Sequence, residues 1–305
     1  MNPKGKSILF DRQKLLLALL DAIGGRIANL DFQKLLFLYC QRSVATAVYE
    51  FVPYKFGAFS FTSYADRRTL VERGFLADDD KQWVLTEKGR QDVMLAHEVE
   101  HNLKGFARKY NILRGDALVA ETYRCFPYYA IHSEIVESVL RGDSVSQKRI
   151  EDVRPRPQKK KLFTIGYEGR SLENYLNELI RAGVDILCDV RKNALSRKYG
   201  FSKVTLSKSC EGVGIRYVHM PELGIASEQR QALNTQADYE ELFDKYKRDN
   251  LPQQHRALEK IRDWVDSGQR VALTCYERFP QQCHRHCIAE ALEMAFGQNF
   301  MAKHL

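Results

Sequence analysis

Cysteine, glutamate, histidine and arginine crowd into one short stretch, Cys275-Tyr-Glu277-Arg-Phe-Pro280-Gln-Gln-Cys283-His284-Arg285-His286-Cys287. It follows the apolar run Val271–Thr274, which reads as a buried strand, and runs into helical spacing with Ile288, Leu292 and Ala295 on one face. Cys275 and Glu277 are therefore expected at a strand's carboxyl end, with Cys283, His284 and Arg285 in the first turn of the next helix. Strand carboxyl ends are where open α/β sheets bind ligands, and a helix start favours anions and thiolates. Three chemistries fit these residue types. Cys275 or Cys283 could act as a thiolate nucleophile, with His284 or His219 as base. Glu277 or Glu168 could act as general acid/base on a glycosidic or phosphate bond, with Arg170, Arg191 and Arg285 neutralising charge. Cys275, Cys283, His284 and Cys287 could bind zinc. Their spacing fits common zinc frameworks poorly, so no metal and no cofactor are expected. Acid/base chemistry at Glu277 is preferred, because a thiol has no evident advantage for such bonds.

The elements that must position these residues repeat along the second half. Strands are expected at Lys161–Gly166, Asp185–Val190, Ile215–Met220 and Val271–Tyr276. Helices are expected between them: Leu172–Ala182 capped by Ser171, Lys203–Cys210, Asp238–Arg248, and Gln254–Ser267 with Trp264 inward. Strands alternating with helices imply a mostly parallel, doubly wound α/β sheet. Its rim would gather Tyr167, Glu168 and Arg170 from the first strand, and Asp189, Arg191, Ser196, Arg197 and Lys198 from the second. The third strand adds His219 and Glu222. Glu168 and Asp189 join Glu277, Cys275, Cys283 and His284 as catalytic candidates. Tyr167, Arg170, Arg191, Arg197, His219 and Arg285 are candidates for substrate binding. No Gly-x-Gly-x-x-Gly follows the first strand, so a dinucleotide site is not indicated.

The first half is helical and basic. Residues 1–161 hold 27 Lys+Arg against 20 Asp+Glu, an excess of +7 in a chain of +8. Such a balance suits a polyanion partner. Leu15, Leu16, Leu19 and Leu20 mark a helix over Ser7–Ala22, ended by Gly24-Gly25, and Asp31 can cap the next. An aromatic segment, Tyr49–Phe61, leads to a helix over Thr62–Arg73. Gly74-Phe-Leu, a turn at Asp78-Asp-Asp-Lys81 and Gln82-Trp-Val-Leu-Thr86 then suggest a hairpin. The cluster Phe126-Pro-Tyr-Tyr-Ala is expected to pack rather than stack on bases. The stretch Arg154-Pro-Arg-Pro-Gln-Lys-Lys-Lys161 reads as an exposed linker. The expected division is 1–150, a nucleic-acid-binding domain; 151–161, the linker; and 162–305, a catalytic α/β domain. No apolar run approaches a membrane span and the first residues lack a signal-peptide core, so a cytoplasmic location is expected. Seven unevenly placed cysteines argue for reduced thiols.

Two resemblances sharpen this. The order of helices, hairpin and "Leu-Thr-Glu-Lys-Gly" resembles a winged helix, whose phosphate contacts would fall on Lys55, Arg67, Arg68 and Arg73. Residues 29–90 are also similar to the Panacea family of toxin–antitoxin and phage-related proteins, through Gln33-Lys34-Leu35-Leu36, Phe51-Val-Pro-Tyr-Lys-Phe-Gly57 and Leu70-Val-Glu-Arg-Gly-Phe75. In the second half Thr164-Ile-Gly-Tyr-Glu-Gly-Arg-Ser171, Asp189-Val-Arg191, Ser196-Arg-Lys-Tyr-Gly-Phe201, Pro221-Glu-Leu-Gly224 and Cys275-x-Glu277-x-x-Pro280-x-x-Cys283-His-Arg285 resemble the uncharacterised-domain family numbered 488. That resemblance implies an enzyme site and leaves its reaction open. The combined expectation is a DNA-directed hydrolase of repair or anti-phage defence, with DNA favoured over RNA. It would remove a modified or damaged base or cut a phosphodiester, the first being favoured because no metal–carboxylate cluster is evident. The alternatives are a DNA-binding regulator sensing a small anionic ligand, and an interaction module of a toxin–antitoxin pair.

Overall fold

A computed structural model describes residues 9–42, 48–91, 97–110, 112–156, 161–230 and 233–305. The chain divides into two compact units, the first ending at Arg154 and the second starting at Pro155. Residues 157–160 of the expected linker lie outside the described residues, and Glu151 and Asp152 belong to the last helix of the first unit.

The first unit contains α1 Asp11–Ala22, β1 Arg26–Ala28, α2 Asn29–Arg42, β2 Val52–Tyr54, β3 Gly57–Phe59, α3 Phe61–Glu72, β4 Gln82–Val84 and α4 Glu87–Gln91. The helices α5 His97–Tyr110, α6 Gly115–Cys125, α7 Val136–Val139 and α8 Ser144–Asp152 follow. The aromatic segment forms the hairpin β2–β3 and not a plain lead-in to a helix; Tyr54 faces Gly57 across the two-residue turn Lys55-Phe56. Gly57 has φ +87°, and a Cβ there would stand 2.5 Å from the Tyr123 ring, so only glycine fits. Gln33 and Lys34 fasten α2 to this hairpin. Gln33 accepts from the Ser60 amide at 3.0 Å and donates to Ser63 Oγ at 2.7 Å, while Lys34 Nζ donates to the Ala58 carbonyl at 2.9 Å. Lys34 is almost wholly buried, and burial lowers its pKa from 10.5 to about 7. Asp31 caps a different helix from the expected one: α2 already starts at Asn29, and the Asp31 carboxylate accepts from the Gly115 amide at the start of α6. Phe126 and Tyr129 pack edge-on against Phe37. β1 pairs antiparallel with β4, and Leu76 bridges Leu85 beside them.

The second unit is one five-stranded, all-parallel sheet in the order β7-β6-β8-β5-β9. Its elements are β5 Leu162–Gly166, α9 Leu172–Ala182, β6 Ile186–Asp189, α10 Lys203–Gly212, β7 Arg216–His219, α11 Gln236–Lys245, α12 His255–Asp266, β8 Val271–Cys275, α13 Arg285–Phe296 and β9 Lys303–His304. Every residue of β5, β6 and β8 is buried, as expected for central strands covered on both faces. Ser171 caps α9 by accepting from the Asn174 amide at 3.0 Å. Trp264 is half-buried, with the Arg216 and Lys260 cations over its ring. Val271, Leu273 and Cys275 of β8 share a core with α12 and α13. Thr274 faces the other way, where Tyr175 of α9 donates to its Oγ1 at 2.7 Å. The chain thus leaves β5 and β8, which are neighbours, towards opposite faces. The carboxyl ends of such strands frame a crevice. No helix among the described residues is long and apolar enough to cross a membrane.

Candidate functional site

A cavity of about 470 Å³ opens at these strand ends. Cys275, Tyr276 and Glu277 form one wall, Tyr167 and Arg191 another, and Lys192, Arg197 and Arg230 bring further cations to its lining. Two glycines set the loops around it. A Cβ on Gly166 would lie 1.8 Å from the Glu277 carbonyl oxygen, and one on Gly224 would lie 2.1 Å from the Lys192 amide. Backbone occupies the space that any side chain there would need.

Cys275 ends β8 fully buried, with its sulfur 3.5 Å from Glu277 Oε2 and 3.8 Å from His284 Nδ1. His284 Nε2 lies 3.0 Å from the Val190 carbonyl, which can only accept. Nε2 therefore carries the proton, and Nδ1 presents its lone pair to the sulfur. Contact with Cys283 lowers the Cys275 thiol to about 7 against the opposing effect of burial, assisted by Arg230 and Arg285. Cys283 is pushed up, first by burial and then by Cys275. The ligating atoms of Cys275, Cys283 and His284 all lie within 4.8 Å of one another. Cys287 stands apart from them, with its sulfur against the His286 ring. The carboxylate of Glu277 is nine-tenths buried and pairs with Arg230.

Several expected site residues serve the scaffold. Helix α13 begins at Arg285, so His284 precedes its first turn and Cys283 is extended. Arg285, expected to bind substrate, is buried and donates to the Glu277 and Arg278 carbonyls at 2.6 and 2.9 Å and to Thr164 Oγ1 at 3.4 Å. It holds the loop that carries Glu277. Asp189, expected to be catalytic, has no exposure; it binds the Arg191 guanidinium through both oxygens and accepts from the Tyr217 hydroxyl. Arg191 also donates to the Tyr167 hydroxyl and the Phe201 carbonyl, both at 2.9 Å. Tyr167 stacks on Phe201 with centroids 4.3 Å apart. Lys198 Nζ donates to the Tyr167 carbonyl at 2.9 Å, which leaves Arg197 as the exposed cation of its motif. Glu168 accepts from the Arg278 amide at 3.0 Å, and His219 Nε2 lies 2.8 Å from the Arg191 carbonyl. Glu168, Arg170 and His219 are absent from the cavity lining, and Glu222 is exposed. Arg230, Lys192 and Gly224 were not singled out as site residues by type. Arg230 lies in the polar run Ser227-Glu-Gln-Arg230, which carries no chemical signature.

In the first unit Arg67 donates to the Asp79 and Gln82 carbonyls and lies over the Trp83 ring. It fastens the turn and is half-buried. Arg73 sits over Phe75, Lys55 is exposed with Glu134 at 4.0 Å, and Arg68 is exposed.

The second unit is thus an α/β domain with a cation-lined cavity and a thiol–imidazole–carboxylate group at its central strand end. Residues 171–292 match the family model described as Domain of unknown function DUF488. Four of the five motif groups fall inside the match, while Thr164–Arg170 precedes it. No curated protein and no solved structure matches the chain.

Proposed function

We propose that the second unit is a cytoplasmic hydrolase of a phosphate-bearing nucleic acid or nucleotide, serving repair or defence, and that the basic first unit holds the nucleic acid. The observation that carries this is the cavity, which sets Glu277 and Cys275 among Arg191, Lys192, Arg197 and Arg230. Its volume, about 470 Å³, falls within the range of small-molecule sites and accommodates one nucleotide, not a duplex. A base turned out of its stack suits such a site. DNA is favoured over RNA, and release of a modified base over strand cutting. Glu277 is the acid/base group, because it is the carboxylate that reaches this lining. Asp189 has no exposure and does not line the cavity. The acidic turn Asp78–Asp80 argues that helix residues such as Arg68, and not the turn, meet phosphate.

The test incubates the full chain with a panel of modified and damaged oligonucleotides and looks for free base or cut strand. Turnover is expected, and Glu277→Gln should lower it by about 10²–10⁴-fold. A wild type inert across the panel, or a Glu277→Gln variant as active as wild type, refutes the assignment.

A further inference from the structure

We propose that Cys275, Cys283 and His284 hold a zinc ion whose open fourth position faces the cavity beside Glu277. The inference rests on the hydrolase reading and supplies its water-activating group. The donors are two sulfurs and an imidazole nitrogen, the set that selects zinc over hard cations such as magnesium. Tetrahedral zinc at about 2.3 Å from sulfur and about 2.0 Å from nitrogen or oxygen spaces its ligand atoms by roughly 3.5–3.8 Å. Cys275 Sγ already lies 3.8 Å from His284 Nδ1, with Cys283 inside the same 4.8 Å cluster, to which Glu277 does not belong. The imidazole is oriented as metal-ligating imidazoles are: its far nitrogen donates to a backbone carbonyl, Val190, which fixes the near lone pair on the cluster.

The architecture also separates a catalytic from a structural ion. Structural zinc sites are closed by four protein ligands, whereas catalytic ones keep three and an open position. The remaining nearby thiol, Cys287, lies outside the cluster. Of the three ligands only Cys275 lines the cavity, together with Glu277 two residues on. The open position and the carboxylate therefore share one wall. Water held there gives one proton to Glu277, its oxygen bonds to the electrophilic centre of the substrate, and the leaving group departs with the proton from Glu277. Water has then been added across the broken bond, and the carboxylate ends as it began.

The experiment loads the full-length, reduced chain with zinc and, separately, with cobalt(II). One equivalent of bound zinc by elemental analysis is expected, with a tetrahedral cobalt spectrum carrying thiolate charge-transfer bands. Cys283→Ser and His284→Gln should lose the ion, and Cys287→Ser should keep it. Because the first two variants can fail to fold and both thiols are already buried, alkylation mapping of the wild type in moderate urea gives a second readout: zinc should protect Cys275 and Cys283 relative to the chelated chain but leave the exposed Cys125 reactive. No stoichiometric metal, unprotected Cys275 and Cys283, or loss of the ion in Cys287→Ser overturns the proposal. Turnover by the chelated, metal-free chain overturns its catalytic role and leaves the hydrolase reading standing. Bound metal with no turnover on the oligonucleotide panel upholds the site and overturns the hydrolase reading.

Discussion

Lys34 offers a direct test of how the first unit handles a buried charge. Its ammonium is sealed between α2 and β3, with the Ala58 carbonyl as hydrogen-bond partner, and burial brings its pKa from 10.5 to about 7. Between those values the unfolded chain binds a proton that the folded chain does not, so stability rises with pH across that window. Below about pH 7 both states are protonated and the cost is fully present; above about 10.5 it is gone. The linkage corresponds to about 1.4 kcal/mol per pH unit, or about 5 kcal/mol over the whole span. Lys34→Met removes this dependence but leaves the Ala58 carbonyl unpaired, at about 1–3 kcal/mol. The variant should therefore be more stable than wild type by about 2–4 kcal/mol at pH 6, and the order should reverse between about pH 8 and 10. Urea unfolding of the full chain in a Trp264→Phe background, followed by the buried Trp83, reads the difference between the two proteins, and groups common to both cancel. Parallel stability–pH curves would show that Lys34 is not buried as a neutral amine.

Three further outcomes are expected. Asp189→Asn leaves the buried Arg191 guanidinium unbalanced and should cost about 3–5 kcal/mol in unfolding followed by Trp264, a loss below about 1 kcal/mol being inconsistent with the pair described. Gly166→Ala places a methyl against the Glu277 carbonyl, so a natively folded variant by circular dichroism should have lost turnover; unchanged turnover would mean that the loop position does not matter. Affinity of the full chain for duplex DNA should fall steeply as salt rises, with Arg68→Glu reducing the slope of log affinity against log salt by about 1 and Arg67→Glu chiefly lowering stability. A flat salt dependence would remove the first unit from DNA binding.

Much of the second unit was legible because its signals are local and redundant. An apolar run ending in Cys275-x-Glu277 marks a central strand and its rim, and Ser171 before an amphipathic run marks a helix start. What spacing could not separate was working side chains from scaffold. Residues two apart on extended chain project to the same side. That places Cys275 beside Glu277 on the cavity, and equally places Asp189 against Arg191, where the two neutralise each other out of solvent. Arg285 looked like an anion binder by type, but its partners are carbonyls seven and eight residues back. Cys275, Cys283 and His284 fit common zinc frameworks poorly by spacing because a strand end and the turn before a helix, not one compact motif, bring their ligating atoms together. β9 is two polar residues long and has no pattern to read. Arg230 reaches the site from a stretch with no motif.

The loop after β8 is fastened from behind, by the Arg285 guanidinium under two of its carbonyls and by Gly166, which lets β5 lie against it. None of these contacts involves anything in the cavity. The conformational entropy of ordering Glu277 is thus lost during folding, before a substrate arrives. On the hydrolase proposed above, binding energy from a phosphate-bearing ligand would be left for placing the scissile bond, not for assembling the groups that act on it. Such preorganisation narrows the range of shapes the site accepts.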